Sequence, residues 1–178
     1  MPPPAMNRRD FVWSAAKVTA ILALAGCLGE ENNPATPEPA EAEGFDRTTL
    51  AAVCDRLLPG TPGALPSASE AGVADFFMRE LDAPMFSKVK PFVAKGLGHL
   101  SAEAQSAKGA PFAKLAPADQ DAVLRRFQEN DVAIPDFSAA RWFELVLTFA
   151  LEGWLGPPSR GANKDGKTWD ALGIVWPR

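Results

Sequence analysis

"SAARWFELVLTFALEGW", residues 138–154, is apolar on nearly every side. Mainly Arg141, Glu144 and Glu152 break its apolar surface, so wound as a helix it has no broad polar face. Such a helix belongs in the middle of a domain, because only neighbours on several sides can remove it from water. The preceding sequence supplies those neighbours. Leu50, Val53, Cys54, Leu57 and Leu58 fall on one helical stripe, which Pro59-Gly60 ends. Ser69 is placed to cap a second helix with Val73, Phe76, Phe77 and Leu81 on its inner face. Phe86, Val89, Val93, Leu97 and Leu100 mark a third, bent or restarted at Pro91. Pro117, a favoured first-turn residue, opens a fourth that carries Val123, Leu124 and Phe127. No alternating Val/Ile/Thr-rich run and no internal repeat is present. The expectation is an all-α fold: a single compact helical domain over residues 45–178. Its end, "LGPPSRGANKDGKTWDALGIVWPR" (155–178), is rich in Gly and Pro and is expected to form an irregular tail.

Upstream of residue 45 the composition changes. "GEENNPATPEPAEAEG" (29–44) has no aromatic or branched apolar side chain, so it cannot bury enough surface to offset chain entropy. Its prolines and like charges favour an extended tether. Before it, "MNRRDFVWSAAKVTAILALAGC" (6–27) sets Arg8 and Arg9 ahead of Phe11 and a modestly apolar run. This resembles a twin-arginine (Tat) export signal, although Asn7 stands where Ser or Thr is usual and Lys17 interrupts the apolar run. Leu24-Ala25-Gly26-Cys27 resembles a lipobox, whose cysteine thiol receives diacylglycerol. The competing reading is an uncleaved membrane anchor, but a spanning helix needs about 20 apolar residues and this run is shorter. Residues 1–26 therefore read as a lipoprotein-type signal peptide, with Met6 a second candidate start. Residues 27–44 read as lipid attachment site and linker. The expected address is the periplasm, reached through the Tat translocase and held at the membrane by a lipid on Cys27.

The 178 residues are 47% apolar and 22% charged, with a formal net charge of −4. The first 26 carry Arg8, Arg9 and Lys17 against Asp10, so the remainder is more acidic than the whole. That balance argues against a nucleic-acid partner, which needs a basic surface. With one histidine and two cysteines, a Cys/His metal site has little to draw on. His99 has no Ser or Cys constellation to serve. Cys54 sits on an apolar stripe, where a buried inert thiol is the default; as the leftover cysteine of an exported lipoprotein, its pairing with another chain stays open. Asp119 and Asp121 in "PADQDAVL" read as first-turn helix acids. "NKDGKTWD" (163–170) brings its glycine at the fourth position, where a calcium loop requires the sixth. There is no dinucleotide or Walker loop. The residues thus give no catalytic, cofactor-binding or metal-binding set.

Two segments carry a family resemblance. "TLAAVCDRLLPGTPGALPSASEAGVADFFMREL" (49–81) resembles the opening of the gluconate 2-dehydrogenase subunit 3 family, through Leu57-Leu58-Pro59, Pro62-Gly63-Ala64 and Ala71-Gly72-Val73. "EGWLGPPSRGANKDGKTWDALG" (152–173) resembles its closing motif through Gly153, Pro158, Gly161, Asn163, Asp165, Gly166, Trp169 and Gly173. Arg160 replaces a Tyr and Ala162 a Gly of that motif; alanine tolerates positive φ less well than glycine, so this turn is a place for the chain to depart from its relatives. The resemblance implies a small, non-catalytic accessory subunit without a cofactor of its own. Its large partner would be an FAD-bearing dehydrogenase of the glucose-methanol-choline (GMC) type, with a c-type cytochrome as a further partner. The small subunit would supply the export signal for the flavoprotein, which lacks one. Gly161, Asn163, Asp165, Gly166, Trp169, Gly173 and Trp176 are then the candidates for contact with the flavoprotein. Two other readings compete: a stand-alone envelope lipoprotein that binds a ligand or scaffolds a complex, and an enzyme using Asp119, Asp121 or His99.

Overall fold

A computed structural model describes residues 45–175. Arg8, Arg9, Phe11, Cys27 and Trp176 lie outside the described residues. Within them the chain forms six α-helices and no strand: α1 (Arg47–Leu57), α2 (Val73–Leu81), α3 (Val89–Lys108), α4 (Pro117–Gln128), α5 (Ala139–Leu155) and α6 (Lys167–Ala171). Four three-residue 3₁₀ turns, at Pro84–Phe86, Phe112–Lys114, Pro158–Arg160 and Lys164–Gly166, connect or precede them.

Local chemistry explains most of the boundaries. The Asp46 carboxylate accepts from the Thr49 amide at 2.9 Å and caps α1. The Ser138 hydroxyl accepts from the Arg141 amide at 3.3 Å and caps α5. Pro117 occupies the first turn of α4, where its missing N–H costs nothing. Pro91 falls in the first turn of α3 for the same reason, so α3 runs unbroken from Val89 rather than bending. Ser69 does not cap α2. Its amide and hydroxyl both donate to the Asp55 carboxylate on α1, and α2 starts only at Val73, after the left-handed Gly72. The Ser69 hydroxyl donates to a carboxylate brought by tertiary structure instead of accepting from a helix-start amide.

Helix α5 packs against each of the other five helices. Its side chains at Trp142, Phe143, Val146, Phe149 and Ala150 are buried, each large one contributing about 1.5–3 kcal/mol by leaving water. The Trp142 indole is fully enclosed, donates to the Val93 carbonyl at 3.1 Å and meets the Phe127 ring edge-on at 5.5 Å. Gly96 on α3 makes room for it: a Cβ there would lie 2.1 Å from the indole. Phe149 stacks on Phe77 at 4.8 Å and meets Phe86 edge-on at 5.2 Å, tying α5 to α2 and the turn beyond it.

Candidate functional site

The closing motif begins where α5 ends. Gly153 is buried against α2; a Cβ on it would lie 2.9 Å from the Phe76 ring and 3.2 Å from Val73. After the 3₁₀ turn at Pro158–Arg160, Gly161 adopts φ 74°. The Arg79 guanidinium reaches over from α2, donates to the Gly161 carbonyl at 2.8 Å and lies above the Phe76 ring. The Asn163 amide then returns to the Gly153 carbonyl at 2.6 Å, and the Lys164 amide donates to the Ala71 carbonyl at 2.9 Å. Asn163, Asp165 and Gly166 all take left-handed backbone, with φ of 41°, 60° and 70°. These are the residue types that bear that conformation at least cost. Ala162 is buried and takes no positive φ, so the alanine at this position is accommodated by its neighbours.

Asn163 is the hub. It is fully buried, and its Oδ1 accepts from the Thr168 amide at 2.7 Å, fastening the start of α6. The Lys167 ammonium donates to the Glu70 carbonyl at 3.3 Å. Glu70 and Ala71 belong to the opening motif, so the two segments singled out in the sequence meet and clasp each other.

The rest of the opening motif is a rigid loop. Thr61 and Leu65 pair as a single bridge, and the Ala64 amide bonds the Thr61 carbonyl at 2.9 Å around Pro62 and Gly63 (φ 73°). Pro followed by a left-handed Gly is what a type II turn requires. The Trp154 indole holds the loop from below, donating to the Pro66 carbonyl at 2.9 Å. Thr61 to Ala64 are exposed at its tip, and a shallow hollow open to solvent lies along Pro62–Pro66 and Glu70.

Of the candidate partner-binding residues, Asn163 and Gly166 point into this clasp, whereas Gly161, Asp165 and Gly173 are exposed. Trp169 is half-buried, and its indole donates to the Leu155 carbonyl at 2.7 Å. Exposed apolar side chains accompany it in the closing segment. Four of the five exposed large hydrophobic side chains among the described residues, Leu155, Leu172, Ile174 and Val175, belong to this segment. Arg79, Trp154 and Thr168 are clasp members that sequence reasoning missed. Arg79 and Trp154 bond backbone carbonyls more than eighty residues away, which no pattern marks, and Thr168 is held through its own backbone amide, which its side-chain type does not announce.

The residues with chemical potential elsewhere serve the fold. Asp119 pairs with Lys108 at 2.7 Å, and Asp121 makes two hydrogen bonds to Arg56, at 2.8 and 2.6 Å. They are spoken for separately and do not face one another as an acid–base pair. The His99 ring packs on Phe137 at 4.8 Å; partial burial, with Lys95 nearby, lowers its pKa. Burial pushes the Cys54 thiol up to about 12, with Asp55 adding to the effect. The Glu152 carboxyl is raised by burial and then by Glu80, and Arg160 opposes the rise. Among the described residues no three His, Cys, Asp or Glu side chains gather as metal ligands do, and no helix is long and apolar enough to cross a membrane.

The described residues thus form a small helical domain with a central apolar helix, a clasp joining the entry of α2 to the exit of α5, and exposed apolar side chains beyond the clasp. Residues 45–175 match the family model for gluconate 2-dehydrogenase subunit 3, and the chain belongs to that family. No curated protein and no solved structure matches the chain.

Proposed function

We propose that the chain is the small, non-catalytic accessory subunit of a membrane-associated dehydrogenase. It binds a large GMC-type flavoprotein that carries FAD and the substrate site, with a c-type cytochrome as electron acceptor. Membership of a family named for the third subunit of a multi-subunit enzyme is the observation that carries this reading. The closing segment supports it. The Trp169 indole is held by its hydrogen bond to the Leu155 carbonyl, Leu155, Leu172 and Ile174 are exposed in the same closing segment, and exposed apolar side chains grouped in this way are where subunits meet. In the same reading the first 26 residues export the folded pair, and Cys27 carries the lipid that keeps it at the periplasmic face of the membrane.

Trp169→Ala tests the docking surface. Loss of a central aromatic anchor costs about 2–4 kcal/mol of association, roughly 30- to 1000-fold in affinity. Titration against the large subunit, beside a thermal melt of the lone variant, separates docking from folding. Weakened binding with an unchanged melt supports the surface; undiminished binding removes Trp169 from it. Export is tested by replacing Arg8 and Arg9 with lysine, which is expected to retain both subunits in the cytoplasm. Palmitate labelling tests the anchor: incorporation that survives Cys27→Ser would refute lipidation there.

A further inference from the structure

The hub of the clasp contains two polar side-chain atoms whose bonding is incomplete. Asn163 and Thr168 are both fully buried, yet Asn163 Nδ2 and Thr168 Oγ1 have no hydrogen-bond partner. They belong to one short turn, because the Thr168 amide donates to Oδ1 of the same Asn163 carboxamide at 2.7 Å. That bond fixes the orientation of the carboxamide and so decides that Nδ2, a donor, is the free end. A buried donor with nothing to bond is destabilising, and so is a buried hydroxyl. Both in one six-residue turn is an arrangement native proteins resolve with an enclosed solvent molecule.

We infer that the clasp binds one interior water molecule, which accepts from Asn163 Nδ2 and shares a hydrogen bond with Thr168 Oγ1. The chemistry of the pair suits water. Nδ2 can only donate, and a hydroxyl both donates and accepts, so one molecule with two lone pairs and two protons satisfies both. A metal ion does not fit, since an amide nitrogen donor repels it. A larger ligand is excluded by the complete burial of both side chains. The water would couple the left-handed turn at Asn163 to the first turn of α6, the helix that carries Trp169. This inference is independent of the partner's identity.

A crystal structure of the purified chain at a resolution that orders interior solvent is the test, together with Thr168→Val and Thr168→Ser. Expected is one solvent peak within about 2.7–3.2 Å of both Asn163 Nδ2 and Thr168 Oγ1. It should be kept in Thr168→Ser and lost in Thr168→Val, with a melting temperature that falls for Val and holds better for Ser. An isosteric valine that melts at or above the parent would mean the hydroxyl had no bond to lose, and would overturn the inference. So would wild-type density in which either atom bonds protein directly. Should the valine variant fail to fold, the wild-type and serine densities decide alone.

Discussion

Gly96→Ala is the sharpest probe of how α5 is seated. In an open helix the change would stabilise, because alanine is favoured over glycine by about 0.8–1 kcal/mol in a helix interior. At Gly96 the added methyl would lie 2.1 Å from two atoms of the Trp142 indole and 2.5 Å from a third. That ring is fully buried, pinned by its N–H to the Val93 carbonyl and flanked by Phe127, so it cannot yield by swinging into solvent. Overpacking a dense core typically costs about 1–3 kcal/mol and occasionally more; the closeness of this contact puts it at or above the upper end. After the propensity gain, the net loss is about 2 kcal/mol. For a domain of this size that is a fall in Tm of about 6–10 °C. Gly98 is the internal control. It lies in the same helix with nothing within 4 Å of its would-be Cβ, so Gly98→Ala is expected to raise stability by up to about 1 kcal/mol. Denaturant unfolding of both variants, with Gly96→Ala/Trp142→Phe to relieve the contact, completes the test. If both glycines respond alike, the indole does not sit where α3 and α5 place it.

Further expectations concern the core, the clasp and the thiol. Trp142→Ala is expected to cost about 3–5 kcal/mol as a core truncation, read from the same unfolding curves. Arg79→Ala removes the donor to the Gly161 carbonyl and the cation over Phe76, and is expected to lower stability by about 1–2 kcal/mol; an unchanged melt would show that the clasp closes without it. Cys54 is expected to resist iodoacetamide in the native chain at about pH 8.5, where a free thiol is half ionised, and to react once the chain is unfolded. Its folded pKa is raised, so the folded state holds the proton longer than the unfolded one. The thiol's contribution to stability is therefore full below about pH 9 and declines as pH rises toward 12. Asp121→Asn weakens one part-exposed ion pair with Arg56 and is expected to cost no more than about 1 kcal/mol, with assembly unaffected.

Helix positions were legible because burial leaves a period. Val73, Phe76, Phe77 and Leu81 are all buried, as are Leu50, Val53 and Cys54, and the all-round apolar segment is the central helix. Pro117 marked a helix start by a purely local rule. Ser69 differs for the complementary reason: a cap is decided by which partner the side chain meets, and Asp55, which takes the Ser69 amide and hydroxyl, is brought there by tertiary structure. The closing motif showed the same limit. Its glycines, Asn163 and Asp165 announced tight turns, yet not their direction. Asn163 points inward because the Gly153 carbonyl and the Thr168 amide wait for it, and the Lys164 amide finds Ala71 across more than ninety residues of chain. The exposed apolar side chains of this segment were visible only as Trp169, since an exposed Leu155 or Ile174 looks in sequence like any core residue.

The most direct test of the accessory-subunit reading is co-expression of the full chain, tagged, with a GMC-type FAD oxidoreductase lacking its own export signal as the proposed large subunit. The account predicts a stable complex carrying flavin absorbance in the periplasmic membrane fraction, with the large subunit left in the cytoplasm when this chain is omitted. A large subunit that is exported and active without this chain, and does not elute with it, would contradict the account.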